Sequence, residues 1–352
     1  MRRTLGAGGS LLRRGPTALA LLAALVVLPV PAQTPPAEFR PLRPEVESFI
    51  AYMVQTHGFE ARALHAIFAQ LKPSPGVQRA IAAPSTAKPW HEFRPLFVDQ
   101  SRIDNGVRYW DTHAELLASA RAEVGVPEAI VVSIIGIETR YGRNTGGFRI
   151  VDALSTLAFD AQNRPDYFRQ ELEQFLLLAR EQGWDALAVN GSYAGAMGLP
   201  QFMPSSYRRY AIDFDRDGSV DLWRSPADVI GSVASYLRQF GWKDGAPVVI
   251  PARVDTAELQ PLLELGLKPS LNSPQWRMRG VDPMSDAPAT LLAALFRLDL
   301  LGGAEYWLGF DNFYAILQYN RSRNYAMAVH DLAREITRER ERLAAVNGAT
   351  AP

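Results

Sequence analysis

Val126-Pro127-Glu128-Ala129-Ile130-Val131-Val132-Ser133-Ile134-Ile135-Gly136-Ile137-Glu138-Thr139-Arg140-Tyr141-Gly142 reads as a helix with almost no polar face. Pro127 suits its first turn and Gly142 its end, because proline needs no amide partner there and glycine tolerates a left-handed cap. Between them Ile130, Val131, Val132, Ile134, Ile135 and Ile137 surround the axis. A helix that is apolar all round has to be buried on all sides. One acid, Glu138, sits in its last turn. Burial disfavours the charged carboxylate and the negative helix end acts in the same direction, so both raise its pKa. A carboxyl kept protonated near neutral pH is what a general acid requires. The same residue could instead be a structural glutamate paired with Arg140 or Arg143, since ion pairs in the interior also perturb titration.

Further helices supply the cover that this segment needs. Val46, Phe49, Ile50 and Met53 share one face of a helix starting near Glu45. Others are expected from Glu60 to Leu71, from Asp111 to Val124, and around Phe168, Leu172, Phe175, Leu176 and Ala179. After Gly245 the pattern changes. Val248 to Val254 and Gln275 to Arg279 read as short strands separated by proline and glycine. Thr290 to Arg297 and Ala315 to Gln318 fit strand or buried helix equally well by period. A last helix is expected from Asn324 to Val346, with Tyr325, Val329, Leu332 and Ile336 on its apolar face. The fold class is therefore mainly α (α+β). The expected boundaries are a helical N-terminal part at 45–125, a core at 126–245, a small β-rich insert at 246–308 and a C-terminal helical part at 309–346.

The chain begins differently. Arg2, Arg3, Arg13 and Arg14 precede an apolar run from Thr17 to Val30, followed by Pro31-Ala32-Gln33. This describes a secretory signal peptide over 1–32, cleaved near Ala32. The run falls short of the roughly 20 residues a spanning helix needs, and no comparable run follows, so no transmembrane segment is expected. Residues 33–44, rich in proline and polar groups, read as a tether. With no cysteine the chain can form no disulfide and carry no lipid on a cysteine, so the mature protein is expected to be soluble and periplasmic. The leader holds four arginines and no acid, so its removal leaves 33 of 37 basic groups against 37 acidic ones. That balance excludes the basic surface a nucleic-acid partner demands.

Asn190-Gly191-Ser192-Tyr193-Ala194-Gly195-Ala196-Met197-Gly198 is a run of small residues leading into Gln201-Phe202-Met203-Pro204-Ser205-Ser206-Tyr207. Small residues let backbone approach a ligand, while Ser, Gln and Tyr supply hydrogen bonds and a stacking face. A tight helix–helix contact would use the same residues equally well. These stretches join Ile134-Ile135-Gly136-Ile137-Glu138-Thr139-Arg140-Tyr141-Gly142-Arg143 and, later, Tyr306-Trp307-Leu308-Gly309-Phe310, Tyr319-Asn320-Arg321-Ser322-Arg323 and Tyr325-Ala326-Met327-Ala328-Val329. With these motifs in this order, the chain resembles the membrane-bound lytic murein transglycosylase B family across most of residues 40–340, as a soluble, non-lipoprotein member.

The resemblance implies a lysozyme-like catalytic core, a helical domain from both chain ends and a small β-rich domain. It implies an enzyme that cleaves the β-1,4 bond between N-acetylmuramic acid and N-acetylglucosamine without water, leaving 1,6-anhydromuramic acid ends. Glu138 matches the family's catalytic glutamate, first acid and then base for the sugar's own C6 hydroxyl. Ser192, Gln201, Tyr236, Tyr319, Asn320 and Tyr325 match substrate-groove positions, and Arg164 aligns with an arginine on the peptide or muramic side. Tyr141 and Tyr193 stand where relatives often carry other aromatics. Most glycosidases need two carboxylates, substrate-assisted ones being exceptions. No second acid stands in the matched motifs. The expected partners are peptidoglycan glycan strands and the cell-wall synthesis machinery. The competing readings are a hydrolytic muramidase and a non-catalytic peptidoglycan-binding protein.

Asp213-Phe214-Asp215-Arg216-Asp217-Gly218-Ser219-Val220-Asp221 has acids at alternate positions and glycine sixth, the first half of an EF-hand calcium loop. Its twelfth position is Arg224 instead of the bidentate glutamate. The resemblance implies a longer loop closed by a later acid, here Asp228. Asp213, Asp215, Asp217, Ser219 and Asp228 are thus the expected ligands of a structural Ca2+, with an ion-free acidic turn as the alternative. The chemistry itself calls for no cofactor. The five histidines form no HExxH pair, so no zinc site is expected.

Overall fold

The apolar helix runs Glu128–Thr139 in the computed structural model, which describes residues 42–82, 88–286 and 288–349. The expected signal peptide, and all but the last residues of the tether, lie outside the described residues. Both expected helix ends move inward. Pro127 is the extended N-cap, not part of the first turn, and Arg140 (φ 51°, ψ 48°) takes the left-handed cap expected of Gly142. Tyr141 (φ 61°) and Gly142 (φ 86°) follow in the same region. Each left-handed non-glycine residue costs about 1–2 kcal/mol, so something has to hold them. The Tyr141 hydroxyl donates to the Arg102 carbonyl at 2.9 Å, and the Gly142 amide donates to Thr139 Oγ1 at 3.1 Å.

Every residue from Ile130 to Ile137 is buried. The cover comes from the long C-terminal helix Arg323–Ala349 and from helices Gln100–Thr112, Ala114–Val124 and Pro226–Gln239. The expected helix from Asp111 is thus two, broken at His113. Gln100–Thr112 buries Arg102, Gly106 and Val107 although most of its residues are polar, and the Arg102 guanidinium finds three acceptors. Arg102 Nε donates to the Gly136 carbonyl at 2.9 Å, and Nη1 donates to the Leu96 carbonyl and to Asp99 Oδ2 at 2.8 and 2.7 Å.

The strands after Gly245 form one five-stranded antiparallel sheet in the order Leu271–Asn272, Leu292–Leu300, Gly303–Gly309, Val249–Val254, Val281–Pro283. Leu292–Leu300 resolves the strand-or-helix ambiguity and explains it. Ala293 and Leu295 join a small cluster with Ile250, Trp276 and Leu308, while Phe296 and Leu298 join the main core. Phe296 stacks on Phe313 with ring centroids 4.5 Å apart. A strand buried on both faces loses its alternation of polarity. Ala315 to Gln318 is helical, within Asp311–Tyr319. Gln275 to Arg279 is a correction: Ser273–Arg277 is a short helix, opened by a capping box between Asn272 and Gln275. No helix among the described residues is long and apolar enough to cross a membrane.

Candidate active site

Glu138 stands one residue before the end of the central helix. It is partly exposed, unlike the residues on either side of it. Its Oε1 accepts a 2.6 Å hydrogen bond from the Tyr325 hydroxyl, carried by the C-terminal helix. Burial pushes the carboxyl up to about 7, against the downward pull of the Tyr325 bond. The arginines that could have paired with it turn away. Arg140 lies 3.9 Å from Asp99, and Arg143 donates to Asn105 Oδ1 at 2.9 Å. No ion pair to Glu138 forms among the described residues, so the structural-pair alternative has no geometry behind it.

From Tyr325 an aromatic run leads away from the carboxyl. The rings of Tyr325 and Tyr319 are nearly parallel, 6.4 Å apart, and Tyr319 meets Tyr236 edge-on at 4.8 Å. The Tyr319 hydroxyl donates to the Pro200 carbonyl and the Tyr236 hydroxyl to the Gln318 carbonyl, each at 2.6 Å. Burial raises the pKa of all three phenols, so they stay neutral donors. Their rings are pinned at both ends.

Of the remaining predicted groove residues, Ser192 and Gln201 lie in the loop 190–202. Met197 and Phe202 pair across it, and the Phe202 ring lies 5.8 Å from Tyr319 and 5.5 Å from Tyr236. Gln201, in the left-handed region, donates its Nε2 to the carbonyls of Gly198 and Thr145 at 2.9 and 3.1 Å. Ser192 Oγ accepts from the Ala196 amide at 3.0 Å and so shapes the loop. Asn320 Oδ1 accepts from the Ser322 amide at 3.2 Å. Arg164 keeps to one side, its guanidinium carbon 4.0 Å above the centre of the Tyr167 ring.

The run of small residues starts as a short strand, Asn190–Gly191, paired with Phe148–Arg149, and continues as a loop, so it makes no helix–helix contact. Its glycines are required by the protein's own packing. A Cβ on Gly191 would meet the Ala196 carbonyl oxygen at 2.2 Å, and one on Gly198 (φ +70°) the Leu222 oxygen at 2.6 Å.

Three supporting residues escaped the sequence reading. Thr139 Oγ1 donates to the Leu199 carbonyl at 3.0 Å and ties the helix end to the loop. Arg102 holds the last turn from behind. Glu171, buried, accepts from the amide and hydroxyl of Ser205 at 2.9 and 2.6 Å. Burial raises its pKa as well. Its position, three after Phe168 and four before Phe175 on the apolar face, was the available signal.

Carboxylate oxygens of Asp213, Asp215 and Asp217 converge within 4.8 Å of one another. Ser219 Oγ donates to Asp217 Oδ1 at 2.8 Å. Asp228 does not join this group. Its two oxygens accept from the amides of Phe214 and Asp221 at 2.9 and 2.8 Å, closing the loop through backbone. Three converging hard oxygen donors fit a cation such as Ca2+.

A carboxyl whose pKa is raised by burial, at the end of the central helix and without an ion pair among the described residues, has the chemistry of a general acid. Comparison with known proteins gives the family. Residues 41–334 match the model of the transglycosylase SLT domain. The chain is 42% identical over 303 residues to the membrane-bound lytic murein transglycosylase B of Escherichia coli (strain K12), covering 83% of this chain and 82% of that protein. The soluble lytic transglycosylase SltB1 of Pseudomonas aeruginosa superposes with a TM-score of 0.78 at 48% identity, over 85% of this chain and 100% of that one. An Escherichia coli lytic transglycosylase in complex with calcium gives 0.76 at 41%, over 84% and 94%. The chain belongs to the SLT-domain family of lytic transglycosylases, enzymes with the lysozyme-like fold.

Proposed function

We propose that Glu138 is the single acid and base of a lytic transglycosylase that cuts the β-1,4 bond between N-acetylmuramic acid and N-acetylglucosamine in peptidoglycan. The observation that carries this is a carboxyl raised to about 7 with one hydroxyl donor and no cationic partner among the described residues. Tyr325 occupies Oε1, which leaves the other oxygen to hold the proton. That proton passes to the glycosidic oxygen as the C1–O bond breaks and the leaving sugar departs. The resulting carboxylate then takes the proton of the C6 hydroxyl as its oxygen closes onto C1. The product ends in a 1,6-anhydro ring, and Glu138 returns to its acid form without water. Ser192, Gln201, Tyr236, Tyr319, Asn320 and Arg164 bind the strand around this centre. With Tyr236 and Tyr325 buried behind it, the partly exposed Tyr319 ring offers a stacking face and Asn320 Nδ2 a hydrogen bond that suit N-acetylated sugars.

Asp213, Asp215, Asp217 and Ser219 would hold a structural Ca2+, with Asp228 fixing the loop from behind. The ion would order the loop and take no part in the chemistry. The basic start and apolar run of residues 1–32 support export to the periplasm, where the substrate lies. Mass spectrometry of digested peptidoglycan tests the central reaction. Muropeptides lighter by one water, with no reducing end, are expected, and ordinary reducing ends would replace the proposal with hydrolysis.

A further inference from the structure

The helix Pro165–Gln182 ends at Gly183, and the chain then runs past Trp184 and Asp185 to the strand Asn190–Gly191. Across from this stretch lies Ser219 to Arg224, the exit of the acidic loop. The two border a concavity of about 780 Å3 that none of the predicted groove residues lines. Thr145 links it to the groove, since its carbonyl accepts from Gln201 Nε2 at 3.1 Å.

Two tryptophans furnish the wall. Trp184 and Trp223 are both partly exposed, their rings 5.5 Å apart and nearly perpendicular at 83°. Tyr207 packs against both, 5.6 Å from Trp184 and 6.1 Å from Trp223. It is buried, and its hydroxyl donates to the Val220 carbonyl at 2.6 Å, so the pair of indoles has a fixed support. Neither indole N–H finds an acceptor among the described residues, and neither is sealed from water as those of Trp242 and Trp307 are.

The polar groups around the rings are also unspent. Gln182 and Asn190 are exposed, and their side-chain amides hydrogen-bond to nothing among the described residues. Charge in the wall is nearly balanced. Asp185 and Asp221 accept from the backbone amides of Leu187 and Trp223 at 2.9 and 2.8 Å, and Arg224 is the one cation. Indole faces beside free amides, with little net charge, suit an uncharged ring that is apolar on its faces and polar at its rim. A pyranose with an N-acetyl group is such a ring.

We infer that this concavity is a second glycan-binding site, which holds N-acetylated sugars away from the bond being cut. The inference rests on the peptidoglycan reading above for the source of those sugars. A strand held here as well as in the groove stays on the enzyme longer than one held in the groove alone, because the second contact forms at high local concentration.

The test titrates the protein with a trimer of N-acetylglucosamine, which offers no muramic sugar to cut, and follows the indole N–H signals by NMR. Of the seven tryptophans, the two whose signals vanish in Trp184→Phe and Trp223→Phe mark the cavity, and those two shift on binding. Gln182→Ala combined with Asn190→Ala raises the sugar concentration at half-shift about tenfold, through the loss of two hydrogen bonds. The same double variant slows the cutting of intact cell walls more than that of a short soluble strand that fills the groove alone. Shifts confined to other signals, a half-shift concentration unmoved in a double variant of unchanged melting temperature, or equal slowing on both substrates overturns the second site. A wild type that releases no 1,6-anhydro ends from peptidoglycan overturns the peptidoglycan reading instead, and the trimer titration decides the cavity independently of it.

Discussion

Replacing Glu138 by glutamine should stabilise the protein, and only above a particular pH. The carboxyl has its pKa raised from 4.5 to about 7 by burial, so between these values the folded state binds a proton that the unfolded chain has lost. The wild type is therefore least penalised below 4.5 and loses stability as pH rises through 7. At 1.36 kcal/mol per unit, the shift amounts to about 3 kcal/mol once the group is fully ionised. Glutamine keeps the shape, accepts the Tyr325 hydrogen bond and never ionises. Urea denaturation of both proteins at pH 4 and pH 8 measures the difference. Near-equal stability is expected at pH 4. At pH 8 the variant should lead by about 3 kcal/mol, or about 6 °C in melting temperature at ~2 °C per kcal/mol for a chain of this size. A variant less stable than the wild type at pH 8 would mean that the ionised carboxylate has a stabilising partner, and would refute the neutral-acid argument.

Tyr325→Phe removes the donor that pulls the Glu138 pKa down, so the alkaline limb of the pH–rate profile should move to higher pH while the rate falls; an unmoved limb would show that Tyr325 does not touch the working acid. Calcium at 100 times its Kd should add about 2.7 kcal/mol to the chelator-treated protein, an increase that Asp213→Asn should reduce; a melting temperature unchanged by millimolar calcium would count against the acidic loop as a site. Gly136→Ala should destabilise by about 1–3 kcal/mol, because its Cβ would sit 2.4 Å from the Tyr141 hydroxyl oxygen that anchors the helix end. Equal stability by denaturation would show that the Tyr141 ring moves aside freely.

Glu138 could be read from the sequence because a lone acid in an all-apolar helix has few environments open to it. What the pattern left undecided was its partner. Tyr325 is 187 residues away, and only the packing of the C-terminal helix on the central one brings the two together. Arg102 was hidden for a related reason. An arginine in a polar helix normally faces water, and here it is buried with Asp99 and two carbonyls accepting from its Nε and Nη1. Arg140 and Tyr141 adopt left-handed backbone without the glycine that usually announces it, so the helix end was placed too late. Gln275 to Arg279 was misread despite a usable local signal. Asn272 followed three residues later by Gln275 is a capping box, and it marks a helix start more reliably than two flanking breakers mark a strand. In the acidic loop, spacing identified the three converging aspartates, but it could not show that Asp228 would be committed to backbone amides.

The origin of the oxygen at the new strand end tests the account most directly. Digestion in water labelled with heavy oxygen, followed by mass spectrometry, should give 1,6-anhydro ends carrying no label, and Glu138→Gln should leave the strands uncut. Label in the product ends would mean that water attacks C1, and cutting by Glu138→Gln at the parent rate would remove Glu138 from the mechanism.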